Sequence, residues 1–191
     1  MPHYDYTQEF QDALSRSSEL GLIVPQVTFP SARFYSDEKF NLLLDRIHKQ
    51  LVNQDGTFNL AFQCLTLNLN IRSAVESVFG CGAHLTFGYI QECEDKYFEF
   101  SYSKVEDWLS NGTYKKEVEL HAWLTLDSME IIDLTWPTTR AKILKSQYGI
   151  GASVTRHPDE FEEGLEYHPM IVGHDFPYKI KAVHGIVIAL T

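Results

Sequence analysis

Residues 121–135, reading His-Ala-Trp-Leu-Thr-Leu-Asp-Ser-Met-Glu-Ile-Ile-Asp-Leu-Thr, constrain the fold more than any other stretch of the chain. Two runs rich in β-branched, aromatic and aliphatic residues flank Asp127-Ser128, the pattern of an antiparallel hairpin. Side chains alternate across a sheet, so the turn decides which residues share a face. A two-residue turn at Asp127-Ser128 would pair Asp133 with Ala122 and send Asp133 and His121 to opposite faces. The expected register instead has a three-residue loop, Leu126-Asp127-Ser128, or a bulge, and places His121 opposite Asp133 on one face.

Upstream, Cys64 begins the run Cys64-Leu-Thr-Leu-Asn-Leu-Asn-Ile-Arg-Ser-Ala-Val-Glu-Ser-Val-Phe79. There Leu67, Ile71, Ala74 or Val75 and Val78 recur at helical spacing. The order is thus a thiol at the start of a helix, an imidazole on a strand and a carboxylate on the next strand. A helix N-terminus offers unpaired N–H groups and a partial positive charge that favour a thiolate. His121 would serve as general base and then protonate the leaving group, while Asp133 fixes its tautomer. A cysteine on an apolar helix is commonly just a small buried hydrophobe, and a hairpin histidine or aspartate is commonly a surface residue. The joint arrangement gives the catalytic reading its weight.

The sequence resembles a known family at several of these points. Gln63-Cys64 opening a helix, the Gly80-Cys-Gly82 turn and the strand Ala83-His-Leu-Thr-Phe-Gly-Tyr-Ile90 carry the likeness, together with His121-Ala-Trp123 and Ile131-Ile-Asp133-Leu-Thr135. The pattern is similar to the transglutaminase-like branch of the papain-like cysteine superfamily, over residues 60–136. The resemblance implies Cys64 as nucleophile, His121 as base and Asp133 as orienting acid. Cys64 is flanked by Gln63 and Leu65, where many relatives carry a glycine or tryptophan, so the acyl pocket does not carry over. Gln54, Asn59, Gln63 and the backbone N–H of Cys64 all qualify as oxyanion donors. Trp123 is a candidate to shape the substrate cleft, although an aromatic beside a hairpin commonly packs into core.

The chain has 191 residues, 44% of them hydrophobic, which suits one domain with a core that needs neither disulfide nor metal. Its three cysteines, odd in number and without CxxC spacing, fit a reducing compartment. A formal charge of −10 weighs against nucleic acid and anionic membrane as partners. Acidic residues at Glu92-Cys-Glu-Asp95 and Asp159-Glu-Phe-Glu-Glu163 read as solvated loops or helix faces. Neither a signal peptide nor a membrane-spanning run is apparent, so a cytoplasmic protein is expected.

Along the chain, residues 7–20 read as a short helix stopped by Gly21. Ser36 looks like the N-cap of a second helix reaching residue 52, with Phe40, Leu43, Leu44, Ile47 and Leu51 on one face. Strands are expected at 87–91, 97–102, 118–126 and 129–134, a helix at 138–147 and a closing strand at 178–190. Glycines 149, 151 and 173 make the stretch before that last strand loop-like.

His157, His168, His174 and His184 lack zinc-ligand spacing, so no metal or other cofactor is expected. Cys81 and His84 lie three apart around a glycine turn with no carboxylate placed beside them, which makes Cys81 structural. The expected architecture is α+β, a papain-like core with the Cys64 helix packed on an antiparallel sheet. The expected chemistry is acyl transfer, with hydrolysis of a peptide or side-chain amide favoured over transfer to an amine. A non-catalytic binding module on the same fold is the alternative from a different class. The expected substrate is a peptide or protein amide.

Overall fold

The computed structural model describes residues 4–51, 60–113, 118–161 and 163–183, and in it the apolar runs assemble into a five-stranded antiparallel sheet with helices on both faces. The helices follow from local chemistry. Helix α1 (Tyr6–Glu19) opens at Asp5, whose carboxylate accepts the Gln8 N–H at 3.1 Å, and α2 (Asp37–Leu51) opens at Ser36, whose hydroxyl accepts from Lys39 N. Each such cap satisfies an N–H that the helix itself cannot, an effect of about 1 kcal/mol. Helix α3 (Cys64–Phe79) ends at Gly80, in the left-handed region at φ 73°.

The central strand β1 (Ala83–Glu92) pairs with β3 (His121–Leu126) along residues 83–88 and with the short β2 (Asp95–Tyr97) along residues 90–92. On its other side it pairs with β5 (Leu165–Val172), while β4 (Ile131–Ile132) extends the sheet beyond β3. Alternation along β3 separates two cores. Ala122 and Leu124 join Leu85 and Phe87 against Leu67, Ile71 and Val75 of α3, whereas Trp123 joins Ile90, Tyr167 and Val172 against Tyr6, Phe10 and Ala13 of α1.

The hairpin register differs in detail from the expected one. Leu124 opposes Ile132 and Thr125 opposes Ile131, so the loop is Asp127-Ser128-Met129, one residue later than anticipated. Met129 closes it at φ 68°, with its N–H on the Leu126 carbonyl and Leu126 N–H on the Glu130 carbonyl, the three-residue loop with a left-handed third position. Moving a three-residue loop by one position changes the pairing sum by two. Asp133 therefore falls in line with Trp123 instead of His121, yet keeps the same face as His121 because the shift is even.

Several expected elements change identity. Of residues 97–102 only Tyr97 is in a strand, the last of β2: Phe98 turns to φ 64° and Ser101 caps helix α4 (Tyr102–Asn111), its side chain accepting from Lys104 N. Residues 178–179 belong to the short helix α6 (Phe176–Lys179), where Pro177 suits a first turn and not a strand interior; Ile186 and Ile188 lie outside the described residues. Helix α5 runs Trp136–Ile143, starting two residues before and ending four before the expected span. Strand β5 occupies the stretch expected as loop. Its Pro169 argues against a strand, but it sits opposite Gly88 where the β1–β5 register shifts and the ladder is already broken. A Cβ on Gly88 would lie 1.9 Å from the His168 carbonyl oxygen, so only glycine permits that approach. Glu92, expected in a solvated acidic loop, ends β1 and accepts from Trp136 Nε1 and Arg140 Nε.

Candidate active site

Cys64 is the first residue of α3, and the turn before it is built to present it. Phe62 sits at φ 59° with its N–H donated to Thr139 Oγ1 at 3.0 Å, and Gln63 N–H reaches the Leu60 carbonyl. No side chain caps this helix. The first-turn N–H groups of Cys64, Leu65 and Thr66 precede the first intrahelical bond, Leu67 N to Gln63 O, so they remain for another acceptor. Gln63, Cys64, Leu65 and Thr66 all line a cleft of about 500 Å³ that also includes Phe62, Phe98, Leu120 and His121. Cys64 is 9% exposed, at the floor of that cleft, and its sulfur lies 4.0 Å from the Leu120 carbonyl oxygen.

His121 opens β3, directly after Leu120, and its Nε2 bonds Asp133 Oδ2 at 2.6 Å. Both side chains are buried. Burial alone would pull the imidazole pKa down; the Asp133 charge and hydrogen bond, with the Cys64 thiol as a further partner, outweigh it and push the value from 6.5 to about 10. Nε2 is engaged by the carboxylate, which leaves Nδ1 to serve the thiol. Aromatic rings fix the imidazole plane: Phe98 and Trp123 stack on it at 5.8 and 6.0 Å between centroids, and Trp136 meets it edge-on at 5.8 Å. Their π faces also favour a cationic ring.

Asp133 pairs with Val154 across an isolated bridge, and its carboxylate is surrounded by donors. Oδ1 accepts from Thr135 N and Oγ1 at 2.8 Å and from Trp136 N at 3.0 Å, while Oδ2 accepts from Tyr167 OH at 3.0 Å. Burial would raise its pKa, but the His121 charge and these donors hold it below the usual carboxylate value. The Tyr167 phenol is raised well above its ordinary pKa by burial and by Asp133, so it remains a donor. The local sequence explains the arrangement, since Asp-Leu-Thr-Trp places an Asx-type carboxylate three residues before the first residue of α5, where it accepts that residue's N–H.

The structure thus brings Cys64, His121 and Asp133 together at one end of the sheet. It does not bring Trp123 to the cleft. That side chain is 0% exposed, its Nε1 donates to Tyr6 OH at 2.8 Å, and the role it can fill is to support the His121 ring from below. Trp123 shares the His121 face but stands two residues further into the sheet, beneath α1, whereas the cleft opens at the strand end where His121 stands. Gln54 and Asn59 lie outside the described residues; Gln63 and the Cys64 backbone border the cleft. His84, expected without a carboxylate, bonds Asp127 Oδ1 at 2.7 Å, and the other oxygen of Asp127 accepts Gly82 N. Cys81 beside them is pushed up to about 11 by burial and by the neighbouring Asp127 and Glu130 carboxylates, which keeps its thiol protonated. Among the described residues, no three His, Cys, Asp or Glu side chains are grouped to hold a metal ion.

No protein-family model matches the sequence, and neither the curated proteins nor the solved structures compared with it show a match.

Two residues of this region went unread in the sequence. Tyr167 lies in β5, which periodicity did not reveal. Asn68 carries no motif signal, yet it is buried within α3 and donates Nδ2 to the Cys64 carbonyl at 2.7 Å and to the Ala122 carbonyl at 2.8 Å. Its Oδ1 is buried with no hydrogen-bond partner, a cost of about 1–3 kcal/mol.

Proposed function

We propose that this protein is a cysteine-dependent acyl-transfer enzyme, in which Cys64 attacks an amide carbonyl, His121 moves the proton and Asp133 orients His121. The observation that carries the reading is the His121–Asp133 bond of 2.6 Å, buried beside a thiol that opens a helix on a cleft floor. His121, raised to about 10 and so protonated at neutral pH, already holds the thiol proton, and the Cys64 thiolate adds to the carbonyl carbon. The tetrahedral oxyanion then lies against first-turn N–H groups of α3, where the helix dipole opposes its charge. Collapse expels the amine, which leaves with the proton held by His121, and a thioester remains on Cys64. Water, deprotonated by His121, adds to the thioester, and collapse releases the acid and restores the Cys64 thiolate beside the protonated imidazole.

Hydrolysis of a peptide or side-chain amide is the favoured outcome because water is the default acceptor. Amine transfer would require a second pocket. The transglutaminase-like, papain-like assignment belongs to this same proposal: it draws support from the sequence resemblance and from a thiol helix packed on an antiparallel sheet. No helix among the described residues is long and apolar enough to cross a membrane. A cytoplasmic setting is proposed from the three unpaired thiols.

The test is a mass-spectrometric search for an acyl-enzyme. Incubation with a panel of peptide and glutamine amides is expected to yield an adduct on Cys64, released by hydroxylamine, with free acid as the main product. Saturable conjugation of an added amine would replace hydrolase by transferase. Absence of any adduct across the panel, with Cys64 labelled by a thiol probe no faster than Cys81, would remove the enzymatic reading in favour of a binding module.

A further inference from the structure

We infer that Asn68 is a positioning residue that sets the separation of Cys64 from His121. The inference rests on the proposed pairing of those two groups. Asn68 lies one helical turn after Cys64, so its side chain folds back on the Cys64 carbonyl, and its second amide hydrogen crosses to the carbonyl of Ala122, the residue after His121. One planar amide therefore ties the thiol-bearing turn of α3 to the strand that carries the base.

Nothing else about the position favours asparagine. It is a poor residue for a helix interior, where its side chain competes with backbone bonds. The site is 1% exposed among Leu67, Ile71 and Ala122, where an aliphatic residue would pack without polar cost. Both amide hydrogens are committed to the two carbonyls, and the oxygen is left with no partner as a consequence. A residue that violates helix propensity and polar satisfaction together, one turn from a nucleophile, is the local inconsistency expected of a functional position. What the molecule gains is a fixed span across the helix–strand boundary, because apart from the contacts of the Cys64 thiol itself with the Leu120 carbonyl and His121, α3 and β3 meet here through nondirectional apolar side chains.

The experiment reads the His121 ring in protein labelled with ¹⁵N-histidine, its signal assigned by loss in His121→Gln. Cys64→Ala is expected to lower the His121 titration midpoint, since the thiol is one of the groups holding it up. Asn68→Leu and Asn68→Ala are expected to move it in the same direction by a smaller amount, while the Asp133-bonded ring proton keeps its low-field signal. Alkylation of Cys64 by iodoacetamide, read on its own peptide, should fall about tenfold, because small misplacements of reacting groups cost one to two powers of ten. A merely structural role would lower the melting temperature and leave the midpoint alone.

Folded Asn68 variants with the parental midpoint and alkylation rate would overturn the inference. An unmoved midpoint in Cys64→Ala would instead remove the thiol–imidazole pair, and this inference with it. If neither Asn68 variant folds, side-chain amide exchange in the parent protein decides: protection of the Asn68 NH₂ supports the clamp, and exchange at the rate of an exposed amide overturns it.

Discussion

The proposed function gives each residue of the Cys64–His121–Asp133 set a separate task, and substitutions should separate those tasks. Cys64→Ala and His121→Ala should each lower kcat by about a millionfold if the triad acts as a unit, and Asp133→Asn by about ten-thousandfold, since the acid only orients and stabilises the imidazolium. Steady-state turnover on any accepted amide checks the ranking. The same pair sets a pH dependence of stability. His121 is raised in the folded state, so its contribution is complete below pH 6.5 and is lost as pH rises through about 10. Asp133 is lowered, so its contribution is present above about pH 3.8 and is lost as pH falls through its folded value. Urea midpoints should therefore form a plateau between those limits and fall on both sides. Asp133→Asn should flatten both limbs, and an unchanged profile in that variant would show that other groups control it.

At the scale of elements, the site depends on two backbone devices, the hairpin loop and the β1–β5 irregularity. The loop keeps Asp133 on the His121 face by an even shift of register. Gly88, which opposes His121 across β1 and β3, has no room for a side chain against the His168 carbonyl. Gly88→Ala must push β5 away from β1, and β5 carries Tyr167, the phenol on Asp133. Destabilisation of about 3 kcal/mol or more is expected, since strain at a close backbone approach adds to lost ladder bonds. Equilibrium denaturation measures it, and a loss under about 1 kcal/mol would mean that the strands part without cost. The helices were more legible than the strands. Helices α1, α2 and α3 each show an apolar stripe and a recognisable start or stop, whereas β2 and β5 are short, or broken by proline, and their pairing partners lie far away in sequence.

Across the whole molecule, two cores share one sheet, with Trp108 in the first and Trp123 and Trp136 in the second. Strands β1 and β3 contribute side chains to both, so neither core can dissolve while the other stays intact. Tryptophan fluorescence, near-ultraviolet and far-ultraviolet circular dichroism should give coincident denaturation curves for the full chain. Separate transitions would show that the α1 layer opens independently. The arrangement also explains why the site sits where it does. Sheet and α3 are covered along their lengths, and the cleft is left at the end where α3 begins and β3 begins.

The sequence by itself determined the α+β class, the helix that starts at Cys64 and the hairpin bearing His121 and Asp133. Those features are local: they follow from periodicity, capping and the alternation of side chains across a strand. Tertiary structure alone decided that Tyr167 donates to Asp133, that Asp127 takes His84 and that Asn68 spans α3 and β3. It also decided that Trp123 is buried beneath His121. Each of these pairs residues through a register or a packing angle, and no spacing within the chain encodes that geometry, because the energy that selects it comes from contacts made only after the layers close.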